Sequence, residues 1–135
     1  MIIVSACLAG LPCRYDGKSC PNPEVIALVR AGKALPVCPE QLGGLATPRE
    51  PVELKEDKAV TKQGRDCTDN LLRGAEAAAR IAEMVNAKEA ILREGSPSCG
   101  VEEIYDGTFS GTLRPGEGLC TRQLKKLGIR VRGLR

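Results

Sequence analysis

The chain contains no histidine and no tryptophan, and its only aromatic residues are Tyr15, Tyr105 and Phe109. Without histidine it lacks the usual general base near neutral pH and every zinc site that uses imidazole. With so few aromatic rings it offers little for stacking the bases of single-stranded nucleic acid. The core must therefore be aliphatic, and proton transfer near neutral pH falls to carboxylates, thiols or hydroxyls.

Membrane and export signals are also missing from the sequence. No apolar run approaches the length of a membrane span, and only Met1 precedes the first apolar run, where a secretory signal has a basic region. We therefore expect a cytoplasmic protein with no membrane partner. Thiols stay reduced there, and seven cysteines is an odd number, so a full disulfide framework is disfavoured. Metal binding or catalysis accounts for the cysteines better.

The length and the apolar pattern predict one α/β domain. A chain of 135 residues buries a core without disulfides and is expected to form a single domain over residues 1–135. Short apolar runs predict strands over 2–6, 34–38, 88–93 and 129–131, and helical spacing predicts helices over 23–31, 68–86 and 118–127. Asn22 is the expected cap of the first helix. This alternation predicts a Rossmann-like parallel sheet with helices packed on it.

The loops between these elements are rich in glycine and proline. We expect loops over 8–20, 39–66 and 95–109, the second with a small hairpin over 53–61. The net charge of +3 lies largely in the C-terminal segment, which indicates a solvated helix and strand end more than a nucleic-acid surface.

Three of the seven cysteines each come after a predicted strand. Cys7 follows the first strand, Cys38 follows the second, and Cys99 follows the third after a Gly-Ser-Pro-Ser turn. Because ligands bind beyond the carboxyl ends of parallel strands, three thiols are expected to meet at one edge of the sheet. Three thiolates can hold a metal or a cluster and leave one coordination position open for a substrate.

On spacing alone, plain burial and zinc binding stay open as roles for these thiols. A free cysteine often serves only as a small buried hydrophobe. Structural zinc usually takes a C-x₂₋₄-C pair, and the spacings from Cys7 to Cys13 and from Cys13 to Cys20 are too wide for one. Thiolates without imidazole suit iron–sulfur better than catalytic zinc, although the common iron–sulfur patterns also use close pairs.

Candidate catalytic side chains adjoin two of these cysteines. Glu40 comes two residues after Cys38, and in a chain without histidine a carboxylate is the natural proton carrier. Ser96 and Ser98 precede Cys99, and either hydroxyl is able to donate to a bound anion or to cap the local turn.

Three further turns are candidates for contact with a ligand. Two Tyr-Asp-Gly turns begin at Tyr15 and Tyr105, and their rings could wall a pocket for a planar heterocycle. The loop with Gly43-Gly44 and Thr47-Pro48-Arg49 could bring backbone N–H groups and a cation to a ligand. It matches neither nucleotide-binding glycine motif, so it predicts no nucleotide site.

Four segments together resemble one family over nearly the whole chain. In chain order they are Ser5-Ala6-Cys7-Leu8 with Arg14-Tyr15-Asp16-Gly17; Val37-Cys38-Pro39-Glu40 with Gly43-Gly44-Leu45 and Thr47-Pro48-Arg49; Gly64-Arg65-Asp66 with Thr68 and Gly74-Ala75; and Ser96-Pro97-Ser98-Cys99-Gly100 with Ile104-Tyr105-Asp106-Gly107-Thr108-Phe109. In this order they resemble the thiouracil desulfidases, small bacterial iron–sulfur proteins.

The resemblance implies a 4Fe–4S cluster held by Cys7, Cys38 and Cys99, with the fourth iron open. It implies an enzyme that replaces the sulfur of a thiolated pyrimidine by oxygen from water and releases hydrosulfide. The family's acid–base glutamate maps to Glu40, and its assisting serine maps to Ser96 or Ser98. Cys13 lies within the first motif and is not counted as a ligand.

The expected partner is a small thiolated base or nucleoside, and transfer RNA is the less favoured substrate. The alternatives are a metal-binding, cluster-binding or sulfur-carrier protein without turnover, and a zinc-stabilised module that binds modified RNA. The motifs around the thiols favour the cluster enzyme over both alternatives.

Overall fold

The computed structural model describes residues 1–135, and its centre is a parallel sheet of four strands. The elements in chain order are β1 (Ile2–Ser5), a 3₁₀ turn (Ala6–Ala9), α1 (Pro23–Arg30), β2 (Ala34–Val37), α2 (Pro39–Leu42), β3 (Val52–Lys55), β4 (Lys58–Thr61), α3 (Thr68–Met84), β5 (Glu89–Arg93), β6 (Glu103–Tyr105), β7 (Leu113–Pro115), α4 (Leu119–Lys126) and β8 (Arg130–Leu134). The central sheet has the order β2-β1-β5-β8, and all its pairs are parallel. The predicted α/β class is confirmed.

Alternating side chains of the strands pack into different clusters, which makes the sheet the middle of three layers. Ile3, Ala90 and Leu92 belong to one hydrophobic cluster together with the alanines of α3 and Leu124 of α4. Val4 and Ile91 belong to another, with Val25 of α1. Because successive side chains of a strand point to opposite faces of the sheet, α1 packs on one face and α3 and α4 pack on the other. Alanine at most of the buried positions of α3 allows this helix to pack closely.

The strand order changes direction at β1. The chain moves from β1 to β2 on one side, then crosses to β5 on the other side and continues to β8. Such a switch leaves a crevice beyond the carboxyl ends of the strands, where ligands bind in open α/β sheets. The order thus places the ends of β1, β2 and β5 around one crevice.

The cap of α1 and the first hairpin are found where the sequence predicts them, and the structure adds the short helix α2 and the hairpin β6–β7. Asn22 caps α1, its side chain accepting from the Val25 N–H at 3.2 Å, and the predicted hairpin is β3–β4. The short helix α2 lies in a segment predicted to be a loop, and the hairpin β6–β7 begins in another predicted loop and ends beyond it, where no element is predicted. Both are too short for hydrophobic periodicity to reveal them. No helix of the chain is both long enough and apolar enough to cross a bilayer.

Two glycines let α2 and α3 touch backbone to backbone. A Cβ on Gly43 would lie 1.9 Å from the carbonyl oxygen of Asn70, and a Cβ on Gly74 would lie 1.8 Å from that of Pro39. The Asn70 side chain donates to the carbonyl of Gly43 at 2.9 Å and closes the same contact. The start of α2, which carries Cys38 and Glu40, is therefore set by its packing on α3.

This contact predicts a specific cost for a single methyl group. Gly74→Ala must push α2 away from α3, and we expect it to lower the free energy of unfolding by about 1–3 kcal/mol. Urea unfolding followed by circular dichroism measures this. Glu76→Ala, at an exposed position of the same helix, is the matched control and should change stability by less than about 0.5 kcal/mol. Equal stability of the two variants would contradict the packing constraint.

Candidate functional site

A half-open cavity of about 500 Å³ lies beyond the carboxyl ends of β1, β2 and β5. Four of the seven cysteines line it, namely Cys7, Cys13, Cys38 and Cys99. Ser5, Glu40, Arg49 and Ser96 belong to the same wall. The three predicted thiols and the predicted carboxylate therefore share one cavity.

Each of the three predicted thiols owes its place to the end of a strand. Cys7 is in the 3₁₀ turn directly after β1, and Cys38 is the N-cap residue of α2 directly after β2. Cys99 follows β5 through a tight turn, in which the Gly100 N–H donates to the Ser96 carbonyl at 2.8 Å. A Cβ on Gly100 would lie 2.8 Å from that carbonyl oxygen and 2.6 Å from Ile104, so the turn requires glycine there.

Ser96 holds the turn that presents Cys99. Its hydroxyl oxygen accepts from the N–H groups of Ser98 and Cys99, at 3.1 and 3.0 Å. A hydroxyl that accepts two bonds still has its own hydrogen to donate. Ser96 is thus both a structural cap and a donor available at the cavity wall.

Contacts between thiols and burial keep two of the sulfurs protonated. The hydrogen bond with Cys13 and burial raise the pKa of Cys38 far above its usual range, although the Gln41 N–H lowers it. A hydrogen bond with Cys38 lowers the pKa of Cys13, but a hydrogen bond with Cys7 and burial outweigh it and raise that pKa to about 11. Such thiols become thiolates when a strong positive charge, such as a bound metal, lies beside them.

Cys99 is the most enclosed of the predicted thiols and is coupled to the others. Burial raises its pKa well above the ordinary value, the neighbouring Cys120 adds to this, and a hydrogen bond with Ser5 lowers it. The charges of Glu40 and Cys38 raise the pKa of Cys99 further. Cys38, Glu40 and Cys99 line the same cavity.

The carboxylate of Glu40 is held by a single cation. Arg49 Nε donates to Glu40 Oε1 at 3.0 Å, and the two side chains are only 9% and 13% exposed. Glu40 Oε2 has no hydrogen-bond partner within the chain. One oxygen of the carboxylate is therefore anchored and the other is free to accept a proton.

All three aromatic residues of the chain line this cavity. Tyr15 and Tyr105 stand there as the turn pattern predicts, and Phe109 joins them. Phe109 has a φ of 59°, a left-handed conformation that costs a side chain energy. Glu53 Oε1 stabilises it by accepting from the N–H groups of Gly107 and Phe109, at 3.0 and 3.1 Å. Because no aromatic ring packs in the hydrophobic clusters of the core, the flat apolar surfaces of the chain are concentrated at the cavity.

The remaining predicted site residue and the other cysteines lie elsewhere. Ser98 is 1% exposed and does not line the cavity, and its hydroxyl has no hydrogen-bond partner. Cys67 and Cys120 are buried within hydrophobic clusters, and Cys20 packs against a third. None of these three cysteines lines the cavity.

The sequence alone does not show the parts that Arg49 and Phe109 have in this cavity. The loop pattern predicts that Arg49 offers a cation to a ligand, but its side chain donates to groups of the protein instead. Phe109 belongs to the last of the sequence motifs, but the sequence does not reveal its left-handed backbone conformation. The rarity of aromatic residues is the one sequence signal that points towards this wall.

The donor set fits an iron–sulfur cluster by its chemistry. All the thiols are free, and those of the cavity offer soft sulfur ligands with no imidazole, which iron–sulfur clusters take. No three His, Cys, Asp or Glu side chains are grouped closely enough to hold one metal ion. The zinc alternative gains no support from this arrangement.

Comparison with known proteins agrees with the motifs. The sequence model of the family described as 2-thiouracil desulfurase matches residues 2–133. The uncharacterized protein YbbK of Bacillus subtilis (strain 168) is 44% identical over an alignment of 141 positions that covers 97% of this chain and 93% of that protein. A solved structure of the 4Fe–4S-dependent thiouracil desulfidase TudS is 46% identical, with a TM-score of 0.93 over 98% of this chain and 89% of the other. The chain therefore belongs to the 2-thiouracil desulfurase family.

Proposed function

We propose that this protein is a 4Fe–4S-dependent desulfidase that acts on a thiolated pyrimidine of the thiouracil or thiouridine type. The reaction exchanges C=S for C=O, consumes one water and releases hydrosulfide and a proton. The observation that supports it is the meeting of three strand-end thiols and one anchored carboxylate at a single cavity, in a chain of this family. No net electron transfer is needed.

Cys7, Cys38 and Cys99 are the proposed ligands of the cluster. Each comes from the end of a different strand, so the fold holds the three sulfurs independently of one another. When bound, the cluster supplies an iron without a protein ligand, a Lewis acid with affinity for the soft sulfur of a thiocarbonyl. Binding it also requires the three thiols to lose their protons.

Glu40 is the proposed general base and acid of the reaction. Its free oxygen, Oε2, takes a proton from water as the water attacks the carbon of the C=S group. Arg49 keeps Oε1 occupied, so the carboxylate presents one defined oxygen to the cavity. The proton held at Oε2 then returns to the departing sulfur.

Hydroxyl and aromatic groups complete the proposed site. The Ser96 hydroxyl has its hydrogen free to donate to the charge that develops on the substrate. Ser98, the other serine of the motif, lies behind the wall and is the weaker candidate. The rings of Tyr15, Tyr105 and Phe109 provide flat surfaces on which a pyrimidine stacks.

The ligand assignment predicts which cysteines the cluster needs. After anaerobic reconstitution, Cys7→Ser, Cys38→Ser and Cys99→Ser should each lose most of the bound iron and sulfide and the brown charge-transfer absorption. Cys13→Ser should retain iron, since three thiols suffice in this assignment. Cys20→Ser, a partly buried thiol outside the cavity, is the matched control and should retain iron as well. Loss of iron in Cys13→Ser, or its retention in Cys99→Ser, would contradict the assignment.

The role of Glu40 predicts a separation of cluster binding from turnover. Glu40→Gln keeps the shape of the side chain and removes the base, so iron content should be unchanged and sulfide release should fall by about 10²–10⁴-fold. Hydrosulfide and the oxygenated pyrimidine are quantified in the same anaerobic assay with 2-thiouracil and with thiouridine. Full turnover in Glu40→Gln would refute the role. A wild-type protein that binds iron yet releases no sulfide from either substrate would indicate a carrier without turnover.

A further inference from the structure

Arg49 connects two of the loops that line the cavity. Its side chain is 9% exposed, and its Nη2 donates to the carbonyl of Cys13 at 3.0 Å while its Nε donates to Glu40 at 3.0 Å. Its own backbone N–H donates to the carbonyl of Tyr15 at 2.8 Å. One residue therefore ties the loop after β1 to the carboxylate that follows β2.

The other terminal nitrogen of Arg49 closes its own loop. Nη1 donates to the carbonyl of Ala46 at 3.2 Å and to the hydroxyl of Thr47 at 3.0 Å. That hydroxyl also accepts from the Gln41 side chain at 2.7 Å, which anchors it to α2. Every nitrogen of the guanidinium therefore donates to at least one acceptor of the protein.

These bonds leave Arg49 little capacity to bind a substrate. A guanidinium has five N–H donors, and the protein takes four of them. A carboxylate pinned through one oxygen cannot swing about its side-chain torsions, so Glu40 Oε2 is held at one place. Burial of the pair limits solvent screening of this bond.

We propose that Arg49 is the positioning residue of the reaction, acting through Glu40 and not on the substrate. The inference rests on the proposed desulfidase function and adds a residue to it. A lysine cannot replace it, because one ammonium does not reach Glu40, Cys13 and Thr47 from a single point as the planar fork does.

The direct test is a double-mutant cycle between Arg49 and Glu40 in the anaerobically reconstituted protein. Arg49→Met should lower kcat by about 10²-fold with little change in KM, because a displaced base is costly while substrate contacts remain. In a Glu40→Gln background the same change should cost less than about threefold, since the residue it positions is already gone. Iron content and thermal midpoint are recorded for every variant.

The matched control removes an arginine–glutamate pair from the other end of the sheet. Arg130 Nη2 donates to Glu89 Oε1 at 2.8 Å where β8 and β5 begin, and the Arg130 side chain is 79% exposed. Arg130→Met should leave kcat, KM and iron content unchanged.

The outcomes separate this inference from the proposed function. Absence of sulfide release by the wild type refutes the function itself. If the losses of kcat in the two single variants multiply in the double variant, the role of Arg49 is overturned while the function stands. Full turnover in Arg49→Met overturns it as well. If Arg49→Met loses iron, the Arg49→Lys variant distinguishes a positioning role from a purely structural one. Iron retained with a fall in kcat that disappears in the Glu40→Gln background supports positioning, and iron lost again shows a purely structural residue.

Discussion

The parallel register of the central sheet is the constraint on which the rest of the structure depends. Ser5 pairs with Val37 and Val4 pairs with Ile91, so β1, β2 and β5 end within one residue of the same level. The residues that follow these ends are the ones that carry the thiols. A slip of one residue in any strand would exchange the side chains that face the two hydrophobic layers, so the packing on both sides of the sheet enforces the register. The core thereby fixes the spacing of chemical groups that lie outside it.

A second constraint fixes the groups that follow β2. Cys38 and Glu40 are two residues apart at the start of α2, and the close contact between Gly43 and Gly74 seats that helix on α3. Arg49 then joins Glu40 to the loop after β1. A proposed cluster ligand and a proposed base thus move together, and the fold sets both through contacts that involve backbone more than side chains.

The fold was predictable because its signals are local and periodic. Apolar runs marked the four strands of the sheet, and helical spacing marked α1, α3 and α4. The short helix α2 and the hairpin β6–β7 were not predictable, since three or four residues carry no measurable period and are stabilised by tertiary contacts.

The site was predictable only where strand ends determine it. The ends of the parallel strands bring Cys7 and Cys38 together, Cys99 joins them through the turn after β5, and Glu40 follows by adjacency to Cys38. Cys13 and Arg49 enter through loop conformations that depend on hydrogen bonds between distant segments, and no spacing rule predicts those. Ser96 and Ser98 are two residues apart and look equivalent in sequence, yet the turn places one at the cavity and buries the other.

The proposed reaction at this edge of the sheet is a hydrolytic exchange of sulfur for oxygen without electron transfer. The most direct measurement is mass spectrometry of the product formed by the anaerobically reconstituted protein from 2-thiouracil in water enriched in oxygen-18. If the reaction is hydrolytic, each turnover yields uracil that carries one heavy oxygen, together with an equal amount of hydrosulfide, and no electron donor is required. Uracil without the heavy oxygen, or turnover that stops unless a reductant is supplied, would contradict it.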